Sequence, residues 1–256
     1  EAYAAEVAAV YGGNVAPADV AITAGCNLAF LAAVLAVAGP GSSVILPAPW
    51  YFNHQMTLQM LGIGVQALDC RPQDGFVPDP AAAEALIDPA TRAIVLVTPN
   101  NPTGAIYPEG VIAAFADLAR RRGLALIVDE TYRDFLADGA NRAHGLFTAP
   151  DWRDHVVQLY SFSKAYAVPG HRVGAITAGP QAMDQILKVL DSVQICAARP
   201  GQDALAWAIA AMADWRQEMR RTINARIAAF QGVVERCPGW QISSIGAYFA
   251  YVSHPF

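Results

Sequence analysis

Leu124-Ala125-Leu126-Ile127-Val128-Asp129-Glu130-Thr131-Tyr132 opens with five apolar residues and stops at a carboxylate. A run this short, apolar on both faces and followed by polar residues, suits a strand buried in a mostly parallel sheet. Four more runs repeat the pattern: Val44-Ile45-Leu46, Ala93-Ile94-Val95-Leu96-Val97, Val156-Val157-Gln158-Leu159-Tyr160 and Gly174-Ala175-Ile176-Thr177-Ala178. Helical stretches are predicted at 1–11, 25–37, 53–61, 108–122 and 181–193. The Pro108-Glu109 start and the Arg120-Arg121-Arg122-Gly123 end of the fourth match helix start and stop signals. Strands alternating with helices predict an α/β fold, a mostly parallel central sheet with helices on both faces. After Gly201 the character changes to two helices, ending near Ala213 and Arg236, and a strand pair around 241–252. This reads as the start of a smaller α+β unit.

Composition narrows the function. The 256 residues are 54% hydrophobic and 15% charged, which excludes a disordered chain. The longest apolar segment, 29–38, is too short for a membrane span. A net charge of −5 gives no reason to expect a nucleic-acid partner. Cys26, Cys70, Cys196 and Cys237 form no CxxC pair, so neither a zinc site nor a disulfide scaffold is expected, and the default is a reduced, cytoplasmic protein. Glu1-Ala2-Tyr3 shows no signal-peptide pattern. The chain begins inside a predicted helix without an initiator Met and stops soon after a strand-like run, so it is expected to be a fragment.

Three strand ends carry unusual polar residues: Thr98-Pro99-Asn100-Asn101-Pro102-Thr103-Gly104, Asp129-Glu130-Thr131-Tyr132 and Ser161-Phe162-Ser163-Lys164. Ligands of open α/β sheets bind beyond the carboxyl ends of strands, so these ends are expected to converge on an active site. Lys164 is one of only two lysines, with Lys188. A surface lysine is the ordinary reading; a partly desolvated amine able to form a Schiff base is the chemical one. Asp129 either caps a helix or pairs with a cationic ring nitrogen. Tyr132 is either a half-buried tyrosine or a donor to a ring hydroxyl, and Asn101 either a turn residue or another ligand of that hydroxyl. Arg172 with Ser161 and Ser163 makes a phosphate site, as against a surface ion pair. Gly25-Cys26-Asn27 opens a helix and presents backbone N–H groups suited to the same phosphate. Trp50 and Tyr51 offer an aromatic face for a flat ring, with core packing favoured for Trp50.

Taken together, in this order and at this spacing, these segments, with Pro169-Gly170-His171-Arg172-Val173-Gly174 after the lysine, resemble the class I/II aminotransferases, the aspartate-aminotransferase family of fold-type I enzymes that use pyridoxal 5'-phosphate (PLP). The resemblance implies that Lys164 carries PLP as a Schiff base, that Asp129 pairs with its ring nitrogen, and that Asn101 and Tyr132 bind its ring hydroxyl. It implies Tyr51 stacked on the ring and His54 supporting Asp129. Ser161, Ser163, Arg172 and the Gly25-Cys26-Asn27 backbone become the phosphate cup. It makes 1–210 the PLP-binding large domain and 211–256 the beginning of a C-terminal small domain. It further implies amino-group transfer between an amino acid and a 2-oxo acid, in a homodimer. The family's N-terminal covering segment, the aromatic residue donated by the partner subunit and the arginine that grips the substrate carboxylate are not in this chain. Arg199 does not stand in that last position, and His171 stands where the family often has leucine. A PLP-dependent C–S lyase or decarboxylase, or an effector-sensing domain of a transcription regulator, would share the cofactor site, because fold does not fix function.

Overall fold

A computed structural model describes residues 1–140 and 142–256. Seven strands form one sheet: β1 (Val20–Thr23), β2 (Ser43–Ala48), β3 (Gly64–Asp69), β4 (Thr91–Val97), β5 (Ala125–Asp129), β6 (Val156–Ser161) and β7 (Gly174–Ala178). Their order is β1-β7-β6-β5-β4-β2-β3. Only β7 runs against its neighbours, β1 and β6; the other pairings are parallel. The helices are α1 (Ala2–Tyr11), α2 (Cys26–Val37), α3 (Phe52–Met60), α4 (Pro80–Leu86), α5 (Glu109–Arg122), α6 (Phe162–Ala165), α7 (Pro180–Val193), α8 (Arg199–Ala211) and α9 (Ala213–Val234). β8 (Gln241–Gly246) and β9 (Phe249–Ser253) form a separate antiparallel pair.

The sheet is covered on both faces, which explains why its strands lack polar alternation: every residue of β6 is buried. Successive side chains of a strand point to opposite faces. Leu126 and Val128 of β5 therefore join one core with Tyr3, Tyr11, Phe115 and Leu205, from α1, α5 and α8. Ile127 joins the other core with Phe30, Leu58 and Ile186, from α2, α3 and α7. α5 starts with Glu109 in its first turn and ends with three arginines and Gly123 in the left-handed conformation, as its termini predict.

The sheet is mostly parallel as expected, and three features add to that expectation. The apolar run of β7 is antiparallel. β3, an edge strand with mixed exposure, and α4, which starts at an Asp79 cap and Pro80, carry too few apolar residues to stand out. The β8–β9 hairpin packs against the loop after β4. Ser244 Oγ donates to the Thr103 carbonyl at 2.5 Å. Gly104, at φ +76°, approaches so closely that a Cβ there would lie 2.5 Å from the Phe249 carbonyl oxygen.

Candidate active site

In the parallel register, Val97 pairs with Asp129 and Asp129 with Leu159. The loops leaving β4, β5 and β6 therefore start side by side at one edge of the sheet. The reversal of β7 adds the remaining pieces. Its first residue, Gly174, pairs with Ser161 at the end of β6 and with Thr23 at the end of β1. Arg172, just before β7, and Gly25, just after β1, thus reach the same edge. A cleft of about 270 Å³ opens there, and all the predicted site residues except Gly25, Trp50 and His54 line it.

Asp129 is buried at its floor. Its Oδ1 accepts hydrogen bonds from the Thr131 N–H at 2.9 Å and the Thr131 hydroxyl at 2.7 Å. Its Oδ2 lies 3.2 Å from His54 Nε2 and 3.8 Å from the Cys26 thiol. His54 is itself buried, stacked on Phe30 with ring centroids 3.9 Å apart and edge-on to Tyr51 at 5.2 Å. Burial, and then the charge of Asp129, pushes the Cys26 thiol well above its ordinary pKa, so this cysteine stays protonated.

Tyr132 and Tyr51 form the walls. Burial, followed by the Asp129 charge, raises the Tyr132 phenol; the Asn101 amide beside it acts in the opposite direction. The phenol is therefore a proton donor at neutral pH. Phe249, from β9, meets the Tyr132 ring edge-on at 5.1 Å. Tyr51 is half-buried, and its hydroxyl accepts from Asn53 Nδ2 at 2.7 Å. Trp50 instead packs on the core around α2 and α3.

The opposite end is rich in donors. Ser161 caps the four-residue α6, its Oγ accepting from the Ser163 N–H at 3.3 Å. Within α6, Phe162, Ser163 and Ala165 are buried while Lys164 projects exposed into the cleft. Arg172 donates to the Pro169 carbonyl at 2.9 Å, the one hydrogen bond found for its guanidinium among the described residues. α2 has no side-chain cap at its N-terminus. Gly25 lies behind Arg172 at φ +92°, and a Cβ there would collide with the guanidinium. Among the described residues no group of His, Cys, Asp and Glu is placed to hold a metal ion.

Thr131, not among the residues expected at the site, also lines the cleft and holds Asp129. Its signal was the Asp-x-Thr spacing, which lets a hydroxyl and an N–H reach back to one carboxylate oxygen.

The chain is similar to several known proteins. Aromatic aminotransferase ISS1 of Arabidopsis thaliana is 32% identical over 80% of this chain and 52% of its own length. The aspartate/prephenate aminotransferase of Thermus thermophilus is 34% identical over 71% of this chain and 45% of its own. The structure of Thermus thermophilus aspartate aminotransferase with maleate superposes with a TM-score of 0.89 at 26% identity, covering 98% of this chain and 66% of that one. The chain thus spans about half the length of these curated relatives. The profile of aminotransferase class I and II matches residues 2–255, nearly every residue described above, and the chain belongs to that family.

Proposed function

We propose that the full-length protein is a PLP-dependent aminotransferase that moves an amino group between an amino acid and a 2-oxo acid. One observation carries this reading: a single lysine, Lys164, projects into a cleft with a buried carboxylate on its floor and an arginine–serine cup at one end. Class I and II aminotransferases of the aspartate type depend on PLP. The donor set fits it. Arg172, Ser161, Ser163 and the uncapped start of α2 suit a phosphate, the glycine at position 25 leaves room for Arg172, and Asp129 suits a cationic nitrogen.

When bound, PLP supplies an electron sink for the carbanion left by removal of the substrate α-proton. Lys164 Nζ would hold the cofactor and, as a free amine in the cleft, would take the substrate α-proton and return it. Asp129 would keep the ring nitrogen protonated, a pairing strengthened by its burial. Tyr132 and Asn101 would donate to the ring hydroxyl, and Tyr51 would supply an aromatic face for the ring. His54 supports Asp129. In this reading 1–210 is the cofactor-binding large domain and 211–256 the start of the small domain. The names of the relatives support amino acids and 2-oxo acids as substrates, and a cytoplasmic homodimer in amino-acid biosynthesis is the setting that goes with them.

Product analysis tests the proposal. With a panel of amino acids plus a 2-oxo acid, amino transfer returns the nitrogen in a new amino acid. Release of ammonia or CO2 instead points to a lyase or decarboxylase. Binding without turnover points to a sensor domain.

A further inference from the structure

We infer that Thr131 is a positioning residue for the cofactor: its hydroxyl anchors Asp129 Oδ1 while His54 flanks Oδ2, so the carboxylate is held in one orientation toward the ring nitrogen. The inference rests on the PLP reading above. Pairing of β5 with β4 and β6 fixes the Asp129 backbone on both sides, with Val97 and Leu159. It does not fix the side-chain torsions, and a carboxylate has two equivalent oxygens. Thr131 makes them inequivalent. Both of its bonds, 2.9 Å from N–H and 2.7 Å from Oγ, end on Oδ1. Oδ2 is left with His54 Nε2 at 3.2 Å and the weak Cys26 thiol donor at 3.8 Å.

A turn after β5 needs only the N–H bond; the hydroxyl adds a second bond to the same oxygen, short and charge-assisted, which a turn does not require. Thr131 and Asp129 both face the cleft. The hydroxyl therefore acts on the cofactor through Asp129 and need not touch it.

The test uses the full-length protein and its Thr131→Val and Thr131→Ser variants. Valine keeps the branched shape and the backbone bond but loses the hydroxyl; serine keeps the hydroxyl. PLP affinity is read by titration of the cofactor-free proteins, with the pH dependence of the visible band as a second signature. Thermal midpoints of the cofactor-free proteins report folding. Thr131→Val is expected to weaken PLP binding about ten-fold, because the carboxylate is no longer oriented before the cofactor arrives, and to move the pH at which the band changes. Thr131→Ser is expected to restore both. Thr131→Val also lowers the cofactor-free midpoint, since the bond exists without cofactor, so affinities are compared at a temperature where all three cofactor-free proteins are folded. At that temperature, valine binding like the parent, or valine and serine losing affinity alike, would each overturn the inference. A parent that binds no PLP would overturn the reading beneath it, and the inference with it.

Discussion

Arg172 and Gly25 show how one backbone conformation serves a charge. Arg172 lies in the left-handed region at φ +48°, and Gly25 at φ +92°. A methyl at position 25 meets the guanidinium and also strains the backbone. Gly25→Ala is therefore expected to cost about 1–3 kcal/mol of stability and to weaken PLP binding, checked by denaturant melts and cofactor titration. Arg172→Lys keeps the charge but loses the planar fork, so a loss of cofactor affinity is expected with little change in the cofactor-free melt. The residues that meet in the cleft were legible because they are rare types in unusual places: one of two lysines, a carboxylate ending an apolar run, an arginine after Pro-Gly. Thr131 was not, because a threonine in a turn is common and only its bonds to Asp129 set it apart.

At the scale of elements, a polar seam joins β5, β6 and α1 beneath the site. Glu130 is fully buried, and its Oε2 accepts from Tyr11 OH at 2.7 Å and Gln158 Nε2 at 2.5 Å. His144 Nε2 stands 3.2 Å from the same oxygen, at ion-pair distance but outside good hydrogen-bond angles. Burial pushes the Glu130 carboxyl up; His144, Arg133 and Gln158 together outweigh it and leave it below its ordinary range. A depressed folded-state pKa stabilises the fold above the ordinary glutamate range, and that contribution is lost as pH falls through the lower folded value. Glu130→Gln is expected to cost about 3 kcal/mol at neutral pH and to flatten the acid side of the stability profile, measured by denaturant melts across pH. This seam was invisible in the sequence, since Tyr11 and Gln158 lie 119 and 28 residues from Glu130. The same limit applies to β7. An apolar run marks a buried strand without stating its direction, yet the reversal is what carries Arg172 to the site.

Over the whole molecule, the two cores, the sheet and most helices follow from apolar runs and terminal signals. β3 and α4 escape because edge elements bury less and need fewer apolar residues. The hairpin β8–β9 reaches back to the Asn101 loop through Gly104 and to Tyr132 through Phe249. Gly104→Ala, which forces the two backbones apart, is expected to destabilise the protein by about 1–3 kcal/mol and to lower PLP affinity, separable by melts with and without cofactor. Because a ligand bound only to the folded state raises stability by mass action, PLP at about 100 times its dissociation constant is expected to add about 2.7 kcal/mol to the parent.

The central claim is that Lys164 holds PLP covalently, and borohydride reduction followed by peptide mapping tests it most directly. A visible band is expected in the full-length protein that disappears on reduction, with the cofactor's mass fixed on the peptide containing Lys164, and no such band in Lys164→Ala. A label on Lys188, or no band even with added PLP, would contradict it.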